Sequence, residues 1–162
     1  MKKVTVYLGV GSNLGDRRSN LDQAVNFLMA NLKIGRISPV YDTMPVGNTD
    51  QPHFLNIACE GKTSLLPEKL LEFIKGIEAE MGRKPGPRNS PRLIDIDILF
   101  YNGLVLETPS LVIPHPRLAE RAFVLAPLSD IAPRLRHPLT GKTILRMLSE
   151  LQREAGDAIV IK

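Results

Sequence analysis

Residues 93–101 read Leu-Ile-Asp-Ile-Asp-Ile-Leu-Phe-Tyr, an alternation that predicts a β-strand with Ile94, Ile96 and Ile98 on one face and Asp95 and Asp97 on the other. Successive side chains of a strand point to opposite faces, so the two carboxylates project together, about 7 Å apart along the chain. Aspartate is a poor strand former, and two like charges on one face repel. A divalent ion between them removes that cost and uses oxygen ligands of the kind Mg²⁺ prefers. A solvated outer face is the alternative use of the same pattern.

Immediately upstream, Arg83 to Arg92 (RKPGPRNSPR) holds three prolines, a glycine and no large apolar residue, which predicts an exposed, mobile loop. It sets Arg83, Lys84, Arg88 and Arg92 beside the two carboxylates in sequence. Guanidinium and Mg²⁺ together form the usual clamp on a transferring phosphoryl group, and mobility suits a lid that closes over ATP. A plain basic surface loop is the competing reading.

Further upstream, Leu66, Leu70, Phe73, Ile74, Ile77 and Met81 make the apolar face of a helix that Ser64, Pro67 and Glu68 start and Gly82 ends. Phe54 to Thr63 and Arg36 to Thr43 read as two strands, the second weakened by Pro39 and so expected at an edge or a bulge. Between them, Met44 to His53 is a long polar loop of the kind that binds something. At the N-terminus, Lys3 to Leu8 predicts a strand that stops at Gly9-Val10-Gly11. A helix with Leu21, Ala24, Val25, Leu28 and Leu32 inward follows, capped from Asp16, Ser19 or Asn20 and closed by Gly35. The order βαββαβ is the split βαβ arrangement, which predicts a ferredoxin-like α+β core with helices on one face of an antiparallel sheet. The stretch Gly9 to Asp16 lacks both GxGxxG and Gly-Lys-Ser/Thr, which excludes Rossmann and P-loop sites and leaves a strand-to-helix turn.

Downstream of the Asn102-Gly103 turn, Leu104 to Leu106 and Leu111 to Ile113 extend the sheet or form a hairpin. Pro114, Pro116, Pro127, Pro133 and Pro138 predict irregular chain until a last helix, Thr143 to Ala155, with Ile144, Met147, Leu148 and Leu151 inward. Pro114-His115-Pro116-Arg117 and Arg121 make a second cationic cluster, in which His115 is a rigid donor to a phosphate or a structural histidine. His53 and His137 carry weaker signals, and no His/Cys spacing supports zinc.

With 162 residues, one domain spanning residues 1–162 is expected. The single cysteine, Cys59, excludes an intramolecular disulfide and points to a reducing cytoplasm. The N-terminal apolar stretch is too short and too interrupted for a signal or membrane segment. A balance of 21 Lys+Arg against 17 Asp+Glu favours anionic partners, nucleotide phosphates or nucleic acid alike.

Four motifs, GSNLGD at 11–16, DQPHFLN at 50–56, PRLIDIDILF at 91–100 and IPHPRLAERAF at 113–123, resemble in kind and order those of the 6-hydroxymethyl-7,8-dihydropterin pyrophosphokinases of folate biosynthesis. The resemblance runs from the N-terminal strand to about Pro133. It implies a ferredoxin-like fold and transfer of the β,γ-pyrophosphate of ATP to the pterin hydroxymethyl group, with release of AMP and the use of two Mg²⁺ ions. By position, it implies that Asp95 and Asp97 hold the metal ions, with Asp97 among the catalytic residues, and that Arg83 and Arg92 bind ATP and stabilise charge on the transferred group. Glu78, His115 and Arg121 complete the ATP side. Thr43, Pro45, Val46 and Asn56 would hold a pterin placed between the rings of Phe54 and Phe123. A monomer acting on two small molecules, with no nucleic acid or membrane partner, is implied as well. The chain departs from some members in having Asn89-Ser90 where they carry a tryptophan and Phe54 where a tyrosine is common, and Lys84 and Arg88 have no assigned phosphate. An RNA-binding module, the alternative from another class, explains the positive charge but neither Asp95 nor Asp97, and no RNP-like aromatic motif is present.

Overall fold

The computed structural model describes residues 2–43, 53–82, 93–155 and 160–161. Its centre is β1 (Val4–Ser12), flanked by β4 (Phe54–Thr63) and β5 (Asp95–Tyr101) and antiparallel to both. On the far side of β4 lie β2 (Lys33–Ile37) and β3 (Tyr41–Thr43), and with β8 (Val160–Ile161) the sheet order is β5-β1-β4-β3-β8, with β2 also on β4. Helix α1 (Arg17–Leu28) follows β1, and α2 (Pro67–Glu80) joins β4 to β5. This is the expected ferredoxin-like βαββαβ core.

The single strand expected over 36–43 is two strands broken at Ser38-Pro39. Proline has no N–H for the ladder, and Ser38 bridges the gap: its backbone N–H donates to the Ala58 carbonyl at 2.9 Å and its hydroxyl accepts from Ala58 N–H at 2.9 Å. Of the three candidate caps of α1, Asp16 caps it, accepting from Ser19 N–H at 3.2 Å. The helix ends well before Gly35, which lies in β2. Leu66, not Ser64, precedes Pro67 at the start of α2, and Gly82, at φ +88°, follows its end.

Alternation divides the sheet's side chains between two cores. Val6, Leu8 and Val10 of β1, Ile57 and Cys59 of β4, and Ile96 and Ile98 of β5 pack with α1 and α2. Burial pushes the Cys59 thiol up to about 12, so it stays protonated and inert. Tyr7, Ala58, Leu99 and Phe100 face the other way. Leu99 and Phe100 share that face because the β1–β5 register shifts between Tyr7 and Leu8, so that Ile98 and Phe100 oppose consecutive residues. The bulge bends β5 and ends the strict alternation that 93–101 suggests.

That second face carries a layer the prolines concealed. Residues 122–131, expected to be irregular, form α3 (Ala122–Ile131), with Pro127 inside it, followed by α4 (Ile144–Ala155). Leu125, Leu128 and Ile131 bury against Ala58 and Phe100, which outweighs the one N–H that Pro127 withholds. Pairing of β6 (Leu106–Glu107) with β7 (Val112–Ile113) makes a separate hairpin, and β8 (Val160–Ile161) pairs with β3. Among the described residues no helix is long and apolar enough to cross a membrane.

Leu8 is fully buried at the middle of β1. Leu8→Ala should lower the unfolding free energy in urea by about 2–5 kcal/mol, with a loss under 1 kcal/mol counting against this packing.

Candidate active site

Because Ile94, Ile96 and Ile98 are buried on the α1/α2 side, Asp95 and Asp97 must project from the α3/α4 face. They do so beyond the part of that face that α3 and α4 cover, and the Asp97 side chain is 35% exposed. In register, Asp95 stands opposite Gly11 and Asp97 opposite Gly9, so the neighbouring strand adds no side chain beside either carboxylate. Glu78 holds the strand from the α2 side. It is buried, and its carboxylate accepts from the N–H of Ile96, between the two aspartates, at 2.9 Å. Lys75 Nζ lies 3.8 Å from its other oxygen.

His115 reaches the same place from the chain after β7. The Ile113–Pro114 peptide is cis, and His115 N–H donates to the Leu99 carbonyl at 3.1 Å, tying this segment to β5. The ring is mostly buried, and burial, followed by the nearby Arg121 charge, lowers its pKa to about 4 against a smaller opposing pull from Asp95. Its Nδ1 accepts from Arg117 N–H at 3.2 Å, so the neutral ring carries its proton on Nε2. That atom is 4.0 Å from Asp97 Oδ1. After a short 3-10 turn at Leu118–Glu120, Arg121 precedes α3, its guanidinium 5.4 Å from the centre of the Phe123 ring. Acidic pair, neutral donor, cation and aromatic ring thus follow one another around one end of the sheet.

On the β4 side, Asn56 Nδ2 donates to Thr43 Oγ1 at 2.7 Å, with Thr43 buried. Phe54 and Asn56 alternate on β4 and share this face, and both approach Gly11. Gly9 and Gly11, expected in a turn, therefore belong to β1; the turn begins later, with Gly15 at φ +71°. Tyr41, opposite Asn56 in register, donates its hydroxyl to Asp130 of α3 and is buried. Burial, then that bond, raises its pKa. At the start of β4, the His53 ring lies 2.9 Å from Asp42 Oδ1 and the His53 carbonyl accepts from Arg17 at 2.7 Å.

Of the residues singled out from sequence, the structure brings Asp95, Asp97, His115 and Arg121 into one group, with the Phe123 ring beside Arg121, and Thr43, Phe54 and Asn56 into another across β1. Glu78 lies beneath the first group. Pro45, Val46, Arg83, Lys84, Arg88 and Arg92 lie outside the described residues. Sequence reading missed Gly11 and the Tyr41–Asp130 tie. The first had a signal in the β-branched run that continues through Val10; the second joins residues too distant in sequence to leave one.

The model of the family described as 7,8-dihydro-6-hydroxymethylpterin-pyrophosphokinase matches residues 7–133, a span that contains every described residue of both groups. The chain belongs to this family. It is 47% identical over 137 residues to the 2-amino-4-hydroxy-6-hydroxymethyldihydropteridine pyrophosphokinase of Bacillus subtilis, covering 83% of this chain and 82% of that protein. The folic acid synthesis protein FOL1 of Dictyostelium discoideum is 49% identical over 142 residues, which are 88% of this chain but 22% of that protein. A crystal structure of Plasmodium falciparum HPPK-DHPS with pteroate shares the fold at a TM-score of 0.77 and 18% identity, over 96% of this chain and 44% of that one.

The donor set suits Mg²⁺. Among the described residues no group of three or more His, Cys, Asp or Glu side chains converges, so a closed protein cage of the zinc kind is not built there. Two half-exposed carboxylates on a rigid strand are what Mg²⁺ takes when substrate phosphates and water supply its remaining ligands.

His115 sets a pH dependence of stability. Its pKa falls from 6.5 to about 4 on folding, so the unfolded chain takes up this proton first on acidification. Its contribution is complete above about pH 6.5 and is lost toward pH 4, at up to about 1.4 kcal/mol per pH unit. Urea unfolding of metal-free protein between pH 7 and 4.5 should show that part of the slope vanish in His115→Gln; parallel curves for the two proteins would contradict it.

Proposed function

We propose that the chain, as a monomer in the cytoplasm, transfers the β,γ-pyrophosphoryl group of ATP to the hydroxymethyl oxygen of 6-hydroxymethyl-7,8-dihydropterin, giving AMP and the pterin diphosphate for folate synthesis. The observation that carries this reading is the pair of half-sites on one sheet face. Asp95 and Asp97 stand on one side of β1 and the Asn56–Thr43 pair on the other, and between them β1 presents Gly9 and Gly11. A polyphosphate with its metal and a flat heterocycle with amide-like edges therefore fit side by side, which is the proximity that a two-substrate transfer needs.

In this reading the hydroxymethyl oxygen attacks the β-phosphorus in line. The new O–P bond forms as the bond from that phosphorus to the α,β-bridging oxygen breaks; AMP leaves with the bridging oxygen, and the hydroxyl proton passes to solvent. No covalent enzyme intermediate is involved, so the protein's work is positional and electrostatic. Asp95 and Asp97 would hold two Mg²⁺ ions, which when bound would supply charge neutralisation at the phosphates and a lowered pKa for the hydroxyl. His115, neutral near pH 7, donates its Nε2 proton to a phosphate oxygen, and Arg121 adds a cation beside it. Arg83 and Arg92 stabilise the charge that develops on the transferred group. Glu78, on the ATP side, keeps Ile96 and with it the acidic pair in place. The pterin lies between Phe54 and Phe123, against Thr43, Pro45 and Val46, with its polar edge on Asn56.

Asp97→Ala should lose at least about a hundredfold in AMP release from ATP plus pterin, while its circular dichroism and melting temperature stay close to wild type, since a half-exposed carboxylate adds little packing. EDTA should abolish turnover of the wild type. Undiminished AMP release by the variant would remove Asp97 from the site.

A further inference from the structure

We infer that Gly11 is a positioning residue for the pterin half of the site, kept free of a side chain so that Asn56 and Phe54 can lie across β1. This rests on the pyrophosphokinase reading proposed above. Gly11 pairs with Asn56 on β4 and with Asp95 on β5. A Cβ placed on it would overlap Asn56 Oδ1 and come within 3.5 Å of Asn56 Cγ and of Phe54 Cδ1. Conformational freedom is not the reason for the glycine, because Gly15, Gly82 and Gly141 are the glycines with positive φ among the described residues. What Gly11 supplies is space.

Asn56 has little room to yield. Its Nδ2 is committed to Thr43 Oγ1 at 2.7 Å, and Thr43 is buried on a strand paired to β4. A side chain at 11 would therefore break that hydrogen bond or push the amide over the slot that the ring of Phe54 borders. The intrusion falls on the β4 side, since the three atoms nearest such a Cβ belong to Asn56 and Phe54 and none to Asp95. Pterin recognition should suffer and ATP recognition should not. Gly9, two residues earlier on the same strand and face, supplies the contrast. A Cβ there meets the Leu99 methyls at 3.6 Å, an ordinary van der Waals distance.

The experiment compares wild type and Gly11→Ala by steady-state AMP formation and, with ATP left out, by equilibrium binding of 6-hydroxymethylpterin, the oxidised form of the substrate. Gly11→Ala should raise the KM for the dihydropterin and the Kd for the oxidised probe by about tenfold or more, with the KM for ATP unchanged. An unchanged pterin KM in an active Gly11→Ala enzyme overturns the inference, as does an equal rise in both KM values. Should Gly11→Ala melt too low to assay, the double variant Gly11→Ala/Asn56→Ala decides. Removing the amide should restore the melting temperature to that of Asn56→Ala, and a double variant as unstable as Gly11→Ala overturns the inference. Wild-type protein that forms no AMP with the dihydropterin would instead refute the underlying reading, so the two failures are distinct.

Discussion

Burying Ile94, Ile96 and Ile98 beneath α1 and α2 leaves Asp95 and Asp97 one orientation, out from the opposite face of the sheet. The hydrophobic energy of three isoleucines, roughly 1.5–3 kcal/mol each, outweighs the mutual repulsion of two partly solvated carboxylates. A slip of β5 by one residue would bury both charges and expose the isoleucines. The hydrogen bond from Ile96 N–H to Glu78 fixes the strand from its other side. The acidic pair is thus held by the core itself rather than by a loop, which gives a metal-dependent site the rigidity it needs.

The rest of the site is placed by how the second face is covered. Helices α3 and α4 pack on Tyr7, Ala58, Leu99 and Phe100 and stop short of the aspartates. The segment that leads into α3 brings His115 and Arg121 to the edge of the covered area, and the Tyr41–Asp130 bond ties α3 back to β3 beside Thr43. At the opposite end of the same face, Tyr7 donates to Glu60 at 2.8 Å and Arg36 to the same carboxylate oxygen at 3.1 Å. That end is closed by its own ion pair, so the open surface lies where the glycines of β1 are.

Local patterns in the sequence were enough for the core. The alternation of 93–101, the 3.6-residue face of Leu70, Ile74 and Ile77, and the β-branched run at the N-terminus each point to one structure, and together they order the elements as βαββαβ. They misled where two signals competed. Gly9 and Gly11 carry the mark of a turn but serve as strand residues, and the side chains that need the space at Gly11, Asn56 and Phe54, come from β4, remote in sequence. Pro127 reads as a helix breaker, yet Leu125, Leu128 and Ile131 bury well enough to keep α3 helical around it. In the site, the charged residues near the acidic strand stood out by type, while Thr43 and Asn56, neutral and ordinary in composition, came from the family's motifs.

The central claim is that the acidic strand and the β4 slot serve one displacement at the β-phosphorus. The fate of a label tests it most directly: purified protein is incubated with Mg²⁺, 6-hydroxymethyl-7,8-dihydropterin and ATP carrying radiolabel on its β-phosphorus, and the products are separated by chromatography. The expected result is β-label in the pterin product in equal amount to unlabelled AMP. Label retained in ADP, with a pterin monophosphate beside it, would place the attack at the γ-phosphorus and contradict the account.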